Sequence, residues 1–87
     1  MLVTWQGWRG PIEKAVKGIA ERIGYKVTVH GVEPSAPVIV RVDANKTPVI
    51  QVLESIGLEA GTRATVRLEA DTSIIHLYFT TPKTGAL

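Results

Sequence analysis

The chain of 87 residues contains no cysteine, which excludes disulfides and metal sites built on thiolates. No apolar run approaches the roughly 20 residues that a membrane-spanning helix requires. Lysine and arginine are scattered along the chain, and the net charge is only +2. The sequence therefore has no basic run of the kind that is typical of nucleic-acid binding. The length is enough for one domain. These absences predict a small globular domain whose function does not depend on a strong charge.

Recognisable catalytic and cofactor-binding motifs are also missing. The serines Ser35, Ser55 and Ser73 do not lie in a nucleophile elbow. No glycine-rich loop matches a dinucleotide or phosphate-binding fingerprint. We therefore expect no catalytic residue and no cofactor, and predict that the protein is not an enzyme. A small hydrolase is a further alternative, and it would require a polar pocket.

The two histidines, His30 and His76, lie at polar positions of predicted strands. They could meet on one sheet face and bind a metal ion together. Two imidazoles without a nearby carboxylate form an incomplete site, however. We interpret them as solvated strand residues and predict no metal site.

Two segments carry apolar residues at helical spacing. The first runs over Pro11–Ile23, with Pro11 at the first helical position and Gly24 after the last turn. The second begins with Thr47 as its N-cap and Pro48 as its first helical residue. Each predicted helix is flanked by strand-like sequence.

Five segments alternate apolar and polar residues, which is typical of strands with one buried face. They are Leu2–Trp8, Tyr25–His30, Val38–Val42, Arg63–Glu69 and Ser73–Phe79. The segment Asp43–Lys46 is predicted to be a loop. We expect the centres of the apolar stripes to be nearly fully buried, namely Ile19, Val40, Leu53, Val66 and Leu77.

The resulting order, β-α-β-β-α-β-β, predicts an α+β fold in which two helices cover one face of a small mixed sheet as a two-layer sandwich. Residues 1–80 would form a single globular domain. Residues 81–87 contain proline and glycine without a pattern, and we predict a flexible C-terminal tail.

Trp5 and Trp8 are the most informative single residues. We expect one to be buried under the first helix and the other to be exposed at an interface; the alternative is that both pack on their own domain. Arginine and tyrosine are also enriched at interfaces, whereas lysine and glutamate are depleted. The predicted docking surface joins the N-terminal segment to the uncovered sheet face, and comprises Trp5, Trp8, Arg9, Arg41, Arg67 and Tyr78.

The β-α-β-β-α outline also occurs in KH domains, which bind single-stranded nucleic acid through a G-x-x-G loop between two helices. The segment Gly7-Trp-Arg-Gly10 has this spacing, but it joins a predicted strand to a helix. A KH-like nucleic-acid-binding domain is therefore the alternative function, and docking without nucleic acid is favoured.

The segment Trp8-Arg-Gly-Pro-Ile-Glu13 resembles the DotD/TraH lipoproteins of type IVB secretion systems and related conjugation machines. The resemblance continues through further short segments over nearly all of the ordered chain, namely Gly24-Tyr25, Gly31, Pro37-Val38, Ile56–Gly61 and Ile75–Phe79. The helix beginning at Thr47 and the hairpin after it are also similar to the short N-terminal domains of secretins and of TonB-dependent signalling receptors.

This resemblance implies a non-enzymatic assembly component of an outer-membrane core complex. The protein would lie in the periplasm, associated with the outer membrane through a lipidated N-terminal cysteine, and that anchor is absent from this chain. The implied partners are a DotC-like lipoprotein and a DotH-like outer-membrane channel protein. The resemblance offers no catalytic residue, no cofactor, no small-molecule substrate and no nucleic-acid partner.

Overall fold

The computed structural model describes residues 1–80, so the predicted tail over 81–87 lies outside the described residues. The seven elements are β1 (Leu2–Pro11), α1 (Ile12–Ile23), β2 (Lys26–His30), β3 (Ile39–Pro48), α2 (Val49–Ala60), β4 (Ala64–Glu69) and β5 (Ile74–Phe79). The predicted α+β class and element order are confirmed. The division into one domain over 1–80 and a tail stays a prediction.

The strands form two sheets. A mixed sheet has the order β2-β5-β4, in which β5 pairs parallel with β2 and antiparallel with β4. A separate antiparallel sheet joins β1 to β3. The helices cover one face of the mixed sheet as predicted, but both also contact β1 and β3, so they lie between the two sheets. Alternation predicted which side chains face inward, but it carried no information about which strands pair.

Helix α1 begins at Ile12, one residue later than predicted, because Pro11 is its N-cap and the last residue of β1, and it ends at Ile23 as predicted. Its apolar stripe is buried, and its Glu13 and Lys17 side chains form an ion pair of 2.8 Å on the exposed face. Gly24 ends the helix in the left-handed conformation, with φ of 74°, which glycine adopts without steric cost. The C-terminal end of α1 therefore follows from local sequence, whereas its first N–H, that of Ile12, bonds to the Val38 carbonyl.

The start of α2 differs from the prediction. The predicted N-cap was Thr47, but the N-cap in the structure is Pro48, and no side chain caps the helix. The Thr47 hydroxyl instead bonds to the backbone of Asn45. The predicted loop Asp43–Lys46 is wrong, because β3 continues through it and pairs with β1 as far as Pro48.

The core lies between the two sheets, around the inner faces of both helices. Ile19, Val40, Leu53 and Leu77 are buried, as predicted. The prediction for Val66 is wrong, because this side chain is only half-buried. It lies on β4, an edge strand that pairs with β5 on one side and has no strand on the other.

Candidate functional site

The rings of Trp5 and Trp8 lie against each other in a tilted arrangement, with an interplanar angle of 38°. Their ring centroids are 4.9 Å apart, and both residues are half-buried. The Trp5 ring lies over Gly18 of α1, and the Arg22 guanidinium lies 4.1 Å from its centroid. The pair therefore packs largely on its own domain, which is the alternative interpretation of these residues; its role at an interface stays a prediction.

Irregular pairing in β1 brings the two tryptophans together. The register with β3 shifts on both sides of Trp5, and Gly7 has a positive φ of 69° within this irregular stretch. A bulge of this kind re-aims side chains along a strand. Gly10 leaves room for the second ring, because a Cβ there would lie 2.8 Å from a Trp8 ring atom.

Arg9 and Arg41 lie directly opposite each other in the β1–β3 ladder. Both are exposed on the outer face of this sheet, because their neighbours Val40 and Val42 point into the core. Neither forms an ion pair with another of the residues 1–80. Like charges placed opposite each other on neighbouring strands repel, so this site favours an anionic group.

A shallow groove of about 480 Å³ surrounds the two arginines, and Ile39 and Glu59 complete its lining. The Glu59 carboxylate accepts a 2.8 Å hydrogen bond from the backbone N–H of Arg41. The bond places a charged side chain at the free edge of β3, and charged side chains at a sheet edge hinder pairing with a strand of another molecule. The guanidinium groups stay available to an external carboxylate.

The outer face of the mixed sheet carries a cluster of aromatic side chains. The His30 and Tyr78 rings stack with centroids 4.3 Å apart, and His76 stacks on His30 at 5.1 Å. His30 Nε2 and His76 Nδ1 share a hydrogen bond of 2.9 Å. Parallel pairing of β2 with β5 places His30 opposite Tyr78 and thereby assembles the stack.

Glu69 extends this cluster, and sequence reasoning missed it. The interpretation of His30 and His76 as solvated residues without a nearby carboxylate is therefore wrong, because both are half-buried and His76 contacts Glu69. Its Oε1 lies 3.2 Å from His76 Nε2 and accepts a 2.6 Å hydrogen bond from the Thr72 hydroxyl. The Thr72 bond first, and then the His76 bond, lower the pKa of Glu69 below the ordinary value of 4.5. The register of the β4–β5 hairpin is the information that would have revealed this contact. In that register Glu69 lies opposite Ile74, and Ile74 is two residues from His76 on the same face of the strand.

The cluster is a hydrogen-bonded chain on an open sheet face. His76 uses one ring nitrogen toward His30 and the other toward Glu69. Within residues 1–80, no group of three or more histidine and acidic side chains is arranged to hold a metal ion. The arrangement therefore places flat rings and polar groups on the outer face of the mixed sheet.

A third feature is an apolar groove of about 730 Å³ between α2 and β4. Ile50, Leu53 and Leu58 line it from the helix, and Ala64, Val66 and Leu68 line it from the strand. Leu58 is 83% exposed, more than any other large apolar side chain of residues 1–80. Sequence reasoning placed no interface here.

The six predicted docking residues do not share one surface. The prediction that Arg41, Arg67 and Tyr78 lie on the same sheet face is wrong, because Arg41 belongs to the β1–β3 sheet and the other two to the mixed sheet. Arg67 and Tyr78 do share the outer face of the mixed sheet. Trp5 lies over Gly18 of α1, Trp8 lies beside Trp5 and over Gly10, and Arg9 is opposite Arg41.

Two further observations bear on function. The segment Gly7–Gly10 lies within β1 and does not connect two helices, so it lacks the position of a KH loop. Over the described part of the chain, neither helix has the length and apolar character needed to cross a membrane.

A family model with the description DotD protein matches residues 1–79. No curated protein matches the chain.

Proposed function

The chain belongs to the DotD family, whose members are components of type IV secretion systems, and we propose that it is a periplasmic assembly component of the outer-membrane core complex. The observation that carries this proposal is the family match over residues 1–79. DotD proteins are structural components and are not known as enzymes. Action by binding, without turnover of a substrate, is the function that we propose for this chain.

The proposed partners are a DotC-like lipoprotein and a DotH-like outer-membrane channel protein. Family membership implies interaction with other components of the secretion system. Association with the outer membrane is part of this proposal, since the DotD family consists of lipoproteins of the secretion-system envelope. Service in conjugation, as in TraH-type machines, is part of the same proposal.

We propose the Arg9–Arg41 pair as the principal docking point. The two charges oppose each other without an ion-pair partner among residues 1–80. An aspartate or glutamate of a partner would relieve this repulsion and could bind both guanidinium groups. Charge complementarity of this kind favours both specificity and rapid association.

The outer face of the mixed sheet is the second proposed contact. Tyr78 is held in a stack by His30, and Arg67 is exposed on the neighbouring strand. A rigid aromatic side chain beside an arginine is a common composition at interface centres. The tryptophan pair would contribute mainly by fixing β1, and hence Arg9, against α1.

The direct test is capture of the full-length protein from cells that carry the secretion apparatus. We expect a DotC-like lipoprotein and a DotH-like channel protein to be captured with it from the outer-membrane fraction. Recovery of the protein only from the cytoplasm would contradict the proposal. Substituting Arg67→Ala together with Tyr78→Ala should preserve the fold and reduce capture, because both side chains point away from the core.

A further inference from the structure

The strand β4 has a free edge, since it is an outer strand of the mixed sheet. The Arg63 carbonyl accepts a hydrogen bond from the backbone N–H of Thr80, the residue directly opposite it. This bond shows which residues along β4 direct their backbone groups toward β5, namely Arg63 and every second residue after it. In an antiparallel ladder, every second residue directs its N–H and C=O away from the partner strand. The backbone groups of Ala64, Val66 and Leu68 therefore point toward the free edge.

The side chains of these three residues line the apolar groove described above. On its other wall, Leu58 is 83% exposed and Ile50 is 49% exposed. A groove with an apolar floor beside unpaired backbone groups is suited to an added β-strand. The added strand would hydrogen-bond to β4 and direct alternate side chains into the groove.

We propose that a second copy of this chain occupies this edge, with the two β4 strands paired antiparallel about a twofold axis at Val66. Each outward N–H of one strand then faces an outward C=O of the other. Ala64 lies opposite Leu68 of the second copy, and Arg63 lies opposite its Glu69. The axis makes the contact self-complementary, as an isologous interface requires.

Charge selects this register. The strand sequence, with its flanking arginine, is Arg63-Ala-Thr-Val-Arg-Leu-Glu69. Sliding the second copy by two residues in one direction would place Arg63 opposite Arg67. Sliding it by two residues in the other direction would place Arg67 opposite itself. Like charges directly opposite are destabilising and opposite charges are favourable, so of these three registers the one centred on Val66 places Arg63 opposite Glu69 and avoids opposed arginines. Within each copy the Arg63 guanidinium donates hydrogen bonds to the carbonyls of Ala36 and Pro37, and Glu69 accepts one from Thr72, so the two opposite charges would attract each other across the strand edge while keeping these bonds.

The apolar groove supports the same contact. Since α2 lies on one face of the mixed sheet beside β4, the twofold axis brings the helices of the two copies to the same side of the joined sheet. The exposed Ile50 and Leu58 of each copy would then cover the groove of the other. Pairing also removes an exposed sheet edge, which proteins otherwise protect from aggregation. This dimer does not depend on the proposed function, because it uses neither Arg9 nor Arg41.

The test uses single-cysteine variants, which are informative because the chain has no cysteine of its own. In the proposed register, the two copies of residue 66 form a hydrogen-bonded pair with Cα atoms about 5.5 Å apart, within the range that a disulfide spans. We expect Val66→Cys to form a disulfide-linked dimer under mild oxidation. Thr28→Cys, an exposed position on β2 at the opposite edge of the sheet, is the matched control and should stay monomeric.

Charge exchange gives a second, independent measurement. We expect Arg63→Glu to raise the dimer dissociation constant roughly tenfold in sedimentation, since two opposite-charge pairs become repulsive. The double variant Arg63→Glu with Glu69→Arg should restore the wild-type value. Equal crosslinking of Val66→Cys and Thr28→Cys would overturn the proposal. So would a wild-type chain that stays monomeric at millimolar concentration.

Discussion

The indole of Trp5 covers Gly18 so closely that a Cβ on residue 18 would lie 2.6 Å from Cζ3 of the ring. The Arg22 guanidinium, one turn further along α1, lies 4.1 Å from the centroid of the same ring and donates a hydrogen bond to the Gly18 carbonyl. A helix-interior glycine normally weakens a helix. Here it provides the space in which β1 docks on α1, and so it positions the strand that carries Arg9.

We therefore predict opposite effects for two helix-interior glycines. Gly18→Ala should lower the free energy of unfolding by on the order of 1 kcal/mol, because overpacking costs about 1–3 kcal/mol and exceeds the helix propensity gain. Gly57→Ala should raise it by roughly 0.5–1 kcal/mol, since a Cβ there meets nothing within 4 Å. Urea denaturation of both variants checks this; stabilisation by both would show that Trp5 does not pack on Gly18.

A second prediction compares two leucines of α2. Leu53 is 5% exposed and Leu58 is 83% exposed. Leu53→Ala should cost about 2–5 kcal/mol of unfolding free energy, because it leaves a cavity in the core. Leu58→Ala should change the stability of the monomer by less than about 0.5 kcal/mol. Similar losses in denaturant titrations of the two variants would mean that the register of α2 is wrong.

Local signals predicted the elements well, and the reasons are visible in particular residues. Gly24 marked the end of α1, because the left-handed conformation that ends a helix depends on one local residue. Alternation in Ile75, Leu77 and Phe79 correctly identified a buried face. The missed part of β3 shows the limit of this approach, because Asp43–Lys46 is strand only through its pairing with β1.

Long-range pairing decided what the sequence could not predict. Strand β2 pairs with β5, and β1 pairs with β3, so Arg41 and Arg67 lie on different sheets. The half-burial of Val66 has the same origin, since a residue at a sheet edge lacks a neighbour on one side. The contact of Glu69 with His76 also depends on hairpin register, which periodicity alone does not determine.

A third prediction concerns the Glu69 carboxyl. The Thr72 hydroxyl is the main cause of its lowered pKa, because a hydrogen bond to the charged form stabilises that form. Thr72→Ala should therefore raise the pKa of Glu69, as measured by NMR titration of the side-chain carboxyl. Thr65→Ala, on the same strand and without a bond to Glu69, is the control and should leave this pKa unchanged.

A fourth prediction follows for stability against pH. The folded pKa of Glu69 lies below its unfolded value, so its contribution is fully present above the ordinary value of 4.5. This contribution is lost as the pH falls through the lower folded pKa. Glu69→Gln should thus lower the free energy of unfolding at neutral pH, and the difference from wild type should shrink under acid. A difference that stays constant from pH 7 to pH 3 would contradict the prediction.

The central claim, docking of an envelope assembly component through Arg9 and Arg41, is tested most directly by charge reversal. Full-length protein with Arg9→Glu and Arg41→Glu would be compared in capture from cells with a variant carrying Lys14→Glu and Lys26→Glu. The second variant changes the net charge equally at exposed positions of α1 and β2. We predict that the first variant folds but loses the DotC-like and DotH-like proteins, whereas the second retains them. Equal retention by both variants, or equal loss, would contradict the account.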